Sequence, residues 1–199
     1  MHDEPYAAAF ITKTIMEANG LVQAYSYWTF SDIVEENYFP SVPFQGGFGL
    51  LNIHGIAKPL YRAFQILHGL GAELLDVDGD HPTVDAWVIA KEKSATILLT
   101  NLAIPRPRIR TEFVRLRLSG APPPASAWIE RIDEDHANPR ALWHIMGEPG
   151  YLSALQVEQL NRASLLRKQP HPWTREKENL EFEVDLPPQS VAAITFEFE

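Results

Sequence analysis

The chain opens on a helical stripe. Ala7, Phe10, Ile11, Thr14, Ile15 and Ala18 recur at steps of three and four, which is one face of a helix. Asp3 stands where a cap belongs, and Pro5 suits the first turn. Asn19-Gly20 closes the helix, because glycine takes the left-handed C-terminal conformation without steric cost. Leu21 to Trp28 then reads as a strand that is apolar on both faces for much of its length. Strands of that kind occur mostly in parallel sheets covered by helices. A loop from Thr29 to about Ile56 follows, and Pro59 opens a second helix. That helix carries Leu60, Ala63, Phe64, Leu67 and Leu70 on one side, with Gly69 and Gly71 at its end.

Past Gly71 the period changes. Val84–Ala90, Ala95–Leu102, Ile109–Leu118 and Ala125–Ile132 are short strand-like runs between turn residues. Val114, Leu116 and Leu118 alternate with Arg115 and Arg117. Leu180, Phe182, Val184 and Leu186 alternate with Glu181, Glu183 and Asp185, and Ala192, Ile194, Phe196 and Phe198 share a face. Short strands at this spacing predict an antiparallel sandwich. One inserted helix is expected, since Ser153 and Gln156 form a capping box and Leu152 with Val157 has the spacing of a hydrophobic staple.

The pattern places a boundary near residues 72–80. Residues 1–73 are helix–strand–loop–helix, and residues 74–199 are mainly β. A single buried-type strand with two flanking helices cannot satisfy its own backbone hydrogen bonds. The N-terminal third therefore reads as the end of something larger.

Composition narrows the function classes. The chain has 199 residues, no cysteine and a formal charge of −9. The absence of cysteine removes a disulfide scaffold, a thiol nucleophile and a cysteine-ligated zinc site. The negative charge argues against nucleic acid, whose phosphates need a basic face. No apolar run reaches the ~18–20 residues of a membrane span, so no membrane partner is expected. Met1-His2-Asp3-Glu4-Pro5 does not read as a signal peptide, which favours a cytoplasmic location as the expectation. The aromatics, five Trp, six Tyr and ten Phe, suit either a thick core or a sugar-binding surface.

The densest chemistry lies in the long loop. Tyr25-Ser26-Tyr27-Trp28-Thr29-Phe30-Ser31-Asp32 is followed by Glu35-Glu36. An aromatic at a strand's C-terminal end with acids beyond it fits the active-site rim of a TIM barrel. The indole would stack on the apolar face of a pyranose, and carboxylates would accept from its hydroxyls. A core tryptophan beside solvated acids fits the same residues. Glu35 and Glu36 make a poor catalytic dyad. A retaining glycosidase sets its carboxyls about 5–5.5 Å apart, facing the scissile bond, whereas adjacent extended residues point in opposite directions. Gln45-Gly46-Gly47-Phe48-Gly49 lacks the lysine and helix of a phosphate loop and reads as tight turns. The seven histidines form no His-x-x-x-His pair, and Asp133-Glu134-Asp135 lacks the glycine and terminal Glu of a calcium loop.

These residues resemble glycoside hydrolase family 39, the β-xylosidase and α-L-iduronidase family, most closely its bacterial β-xylosidases. The carrying blocks are Ser26-Tyr27-Trp28-Thr29-Phe30-Ser31-Asp32 with Glu35-Glu36, Pro43-Phe44-Gln45-Gly46-Gly47-Phe48-Gly49-Leu50 and Gly55-Ile56-Ala57-Lys58-Pro59. His2-Asp3-Glu4-Pro5-Tyr6, Asp135-His136-Ala137-Asn138-Pro139 and Leu186-Pro187-Pro188 also match. The resemblance implies the C-terminal portion of a retaining β-xylosidase. Residues 1–73 would be the seventh helix, eighth strand and eighth helix of a (β/α)8 TIM barrel, and residues 74–199 a β-sandwich accessory domain. The family's acid and nucleophile glutamates would both lie upstream of Met1, so this chain alone is expected to be inactive. The implied substrate contacts are Trp28, Glu35 and Glu36, with Phe44 and Phe48 shaping the pocket mouth. The implied partner is a small xyloside or xylo-oligosaccharide, and no metal or organic cofactor is implied. Self-association through the incomplete barrel is expected. The competing reading is a non-catalytic carbohydrate-binding or structural sandwich. It requires Trp87, Trp128, Trp143 or Trp173 to line up on one exposed face.

Overall fold

The computed structural model describes residues 1–33 and 41–199. In chain order the elements are α1 (Pro5–Glu17), α2 (Pro59–Gly69), β1 (Glu73–Leu75), β2 (Val84–Lys91), β3 (Ser94–Asn101), β4 (Glu112–Ser119), β5 (Pro124–Ile132), α3 (Pro139–Ile145), α4 (Ala154–Ala163), β6 (Gln169–Pro170), β7 (Thr174–Glu176), β8 (Asn179–Leu186) and β9 (Ser190–Phe198). A six-stranded sheet runs β1-β2-β3-β9-β5-β6, and a three-stranded sheet runs β4-β8-β7. Every strand pair is antiparallel.

The sandwich follows from alternation. In the β4–β8 pair, Val114 faces Val184, Leu116 faces Phe182 and Leu118 faces Leu180. These side chains pack against Ile97, Leu99, Ile129, Ala192, Ile194 and Phe196 of the larger sheet. On the solvent face, Arg115 pairs with Glu183 and Arg117 with Glu181. β9 is central, bonded to β3 on one edge and β5 on the other. Its second face is buried too. Val191 and Ala193 meet Tyr6, Ala8 and Ala9 of α1 and Ala63 and Ile66 of α2. The helix pair thus forms a third layer, and residues on both sides of position 73 share one core.

Four sequence expectations change. Leu21–Trp28 is not a strand. It has no ladder partners among the described residues and is largely exposed, with Leu21 at 80%. Its backbone would need a neighbouring parallel strand, and none exists among the described residues. A single inserted helix becomes two. Asn138 caps α3 through its side chain, which accepts from the Ala141 N–H, and Pro139 fills the first position. The second helix, α4, carries the expected Ser153–Gln156 capping box. Asp3 does not cap α1, whose N-cap is Glu4 without a side-chain bond. That helix also buries a wider face than its stripe suggested, with Ala8, Ala9 and Thr12 inside and Phe10 partly in solvent. Among the described residues no helix is long and apolar enough to cross a membrane.

Candidate functional site

The segment after Trp28 is seated on a buried ion cluster. Lys58 precedes α2 and is fully buried. Its ammonium lies 2.7 Å from Asp3 Oδ1 and 2.6 Å from Asp32 Oδ2. It also donates to Asp32 Oδ1 at 2.9 Å and to the Gly47 carbonyl at 2.8 Å. Both carboxylates are buried and accept backbone donors. The Gly49 N–H bonds Asp32 Oδ1 at 2.7 Å, and the Gly46 N–H bonds Asp3 Oδ2 at 2.6 Å. A buried charge persists only when it is paired and hydrogen-bonded. Here one cation serves two anions. Burial pushes the Asp32 carboxyl above its ordinary range, against the pull of Lys58 and the Gly49 N–H.

The glycine loop is shaped by that cluster. A Cβ on Gly47 would lie 2.5 Å from Asp32 Oδ1, and one on Gly49 would lie 2.2 Å from the Asp32 backbone nitrogen. The tight turns expected from this run are close packing of backbone onto Asp32. Short backbone ladders complete the arrangement. Thr29 N–H bonds the Phe48 carbonyl, Leu50 N–H the Thr29 carbonyl and Leu51 N–H the Phe30 carbonyl.

Above the cluster the surface is aromatic. Trp28 is 63% exposed, and Phe30 and Phe48 are similarly open. The His2 ring meets Phe48 edge-on with centroids 4.7 Å apart. Tyr27 turns inward against Phe64. Its hydroxyl is buried without a hydrogen-bond partner among the described residues. Burial, then the negative charges of Asp32 and Asp3 and the neighbouring Tyr25, push this phenol up to about 12. It is therefore a neutral hydroxyl across the ordinary pH range. An exposed indole can stack on an apolar sugar face.

The expected site residues fare differently. Trp28 is exposed and available. Glu35 and Glu36 lie outside the described residues. Phe44 is buried, its ring 5.6 Å from that of Trp143, in a cluster with Ile56 and Leu160. It ties the loop to α3 and α4, where a place at the pocket mouth was expected, because its apolar neighbours come from elements about a hundred residues downstream. Lys58 was missed as a site residue. Its signal was a lone cation inside the apolar run Ile56-Ala57-Lys58-Pro59-Leu60.

The tryptophans proposed for a sandwich lectin do not form one platform. Trp143 is buried, Trp87 packs on the helix side of the large sheet, and Trp173 packs between the sheets. The Trp128 face is covered by the Lys168 ammonium at 4.1 Å. A cavity of about 610 Å³ has no Trp28 in its lining. It lies where β5 and β6 meet the three-stranded sheet, lined by Arg131, His171 and Trp173 among others. Among the described residues no group of three or more His, Asp or Glu could hold a metal ion.

Comparison with known proteins supplies the frame for this geometry. The model of glycosyl hydrolases family 39 matches residues 1–179. A β-xylosidase of Caldicellulosiruptor saccharolyticus is 44% identical over 198 residues, covering 98% of this chain and 41% of that protein. A β-xylosidase of Geobacillus stearothermophilus is 35% identical over 182 residues, covering 89% of this chain and 33% of that protein. The crystal structure of a monomeric β-xylosidase from Caulobacter crescentus CB15 superposes with a TM-score of 0.81 at 25% identity. It covers 99% of this chain and 42% of that one. The chain thus spans a third to two fifths of the length of these relatives, in their C-terminal part.

Proposed function

The chain belongs to glycosyl hydrolases family 39, and on that premise we propose that it supplies the C-terminal part of a retaining β-xylosidase-like hydrolase. Residues 1–73 end the catalytic barrel, and residues 74–199 form the accessory sandwich fused to it. Leu21–Trp28 becomes the last barrel strand once neighbouring strands offer it hydrogen bonds. Trp28 stacks on the sugar held at the cleavage site, and Glu35 and Glu36 supply acceptors for its hydroxyls. Phe44 serves from beneath by fixing the loop. The acid and nucleophile glutamates are not among these residues. The 199-residue chain by itself therefore binds a xyloside weakly and does not turn it over.

The observation that carries this reading is the exposed Trp28, four residues before Asp32 of the buried Asp3–Lys58–Asp32 ion cluster. Large aromatics are usually core, and a tryptophan left open beside so ordered a support suits a ligand better than packing. The open apolar surface of Leu21, Val22, Phe30 and Ile33 also supports association with a barrel partner or a second copy.

The test is an assay of the purified chain on a chromogenic β-xyloside, together with a xylobiose titration followed by tryptophan fluorescence. No turnover is expected, with a fluorescence change that Trp28→Phe abolishes. Turnover lost in Glu35→Gln or Glu36→Gln would contradict the assignment.

A further inference from the structure

The proposed sugar surface needs something to hold it in place, and the ion cluster has the necessary connections. Asp3 begins the α1 region, Asp32 follows the Trp28–Phe30 aromatics, and Lys58 leads into α2. Among the described residues, Lys58 touches all three parts of the arrangement. It meets both carboxylates and the Gly47 carbonyl of the loop that carries Phe48. Its ammonium has three protons, and each has an acceptor in reach. The acceptors come from positions far apart in sequence and converge on one buried nitrogen.

We propose that Lys58 is the positioning residue of the sugar surface, fixing the Trp28 segment and the Phe48 loop through its hydrogen bonds to Asp32 and Gly47 and its ion pair with Asp3. This deepens the xylosidase reading and rests on it for the nature of the ligand. It contacts no sugar itself. Simple charge compensation is a different role, and the two separate experimentally. Compensation is satisfied once the carboxylates lose their charge, whereas positioning needs the bonds themselves.

The experiment compares the wild-type chain with Lys58→Met and with the triple variant Lys58→Met, Asp3→Asn, Asp32→Asn. The readouts are the thermal midpoint, acrylamide quenching of Trp28 (taken as the difference from a Trp28→Phe background) and xylobiose affinity. Lys58→Met should lower the midpoint sharply, because it strands two buried carboxylates. The triple variant should recover most of the midpoint, yet keep an altered Trp28 quenching constant and about tenfold weaker xylobiose binding, the cost expected of a misplaced contact. Recovery of both quenching and binding in the triple variant would overturn the proposal. Asp32→Asn alone provides an arm that retains Lys58 and an acceptor oxygen. It should leave Trp28 quenching unchanged, and a change as large as that of Lys58→Met would also overturn the proposal. If the wild-type chain binds no xylobiose, the xylosidase reading fails, while the quenching comparison still decides the positioning role.

Discussion

Two segments of this chain carry the same kind of sequence and meet opposite fates. Ser190–Phe198 and Leu21–Trp28 are both runs of apolar and aromatic residues with few charges. The first becomes β9, bonded on both edges and buried on both faces. The second has no ladder partner among the described residues and lies open to solvent. A doubly apolar run states a demand for neighbours on both edges and both faces. Whether it forms a strand depends on what the rest of the polypeptide can supply. For β9 the supply lies within this chain, in β3, β5, the helix pair and the three-stranded sheet. For Leu21–Trp28 the described residues offer the packing of Tyr27 on Phe64, the Asp3–Lys58–Asp32 cluster and short ladders beyond Trp28, and these fix the segment's far end alone.

The sharpest way to break this comparison is to truncate an equivalent residue in each run. Phe196 is fully buried in β9, with its ring 5.0 Å from that of Phe182. Phe196→Ala should cost about 3–5 kcal/mol in urea unfolding, from lost burial and the cavity left behind. Leu21→Ala should fall within about 0.5 kcal/mol of wild type. Comparable losses at the two positions would mean that the N-terminal segment is as integrated as β9.

A smaller effect probes the sandwich edge by pH. His171 is buried in the cavity between the sheets. Burial, reinforced by the Arg131 guanidinium, holds its imidazole below the usual value of 6.5. The unfolded chain therefore binds a proton there that the folded chain resists. Stability should be fully present above pH 6.5 and decline as the pH falls through the lower folded value. His171→Gln should flatten that decline below pH 6.5. An unchanged slope would assign the acid sensitivity to other groups.

Local rules made much of the fold legible. The capping box of α4 needs only Ser153 and Gln156, and the alternation of β4 and β8 needs only neighbours along each strand. What escaped depended on distant partners. Asp3 resembles a helix cap until Lys58 claims it. Phe44 resembles a pocket residue until Trp143 packs against it. The helix α3 was missed because seven residues carry little periodicity, although Asn138-Pro139 is a start signal in its own right. Family resemblance singled out Trp28, which the structure leaves exposed, and the structure adds the buried Asp3–Lys58–Asp32 cluster that the residue types alone did not reveal.

The account's central claim is that one run is satisfied within this chain and the other is not. Amide hydrogen exchange tests it directly at the backbone. The β9 amides should exchange only through global unfolding, while those of residues 23–26 should exchange near the rate of an unstructured peptide. Protection in residues 23–26 equal to that of β9 would contradict the account.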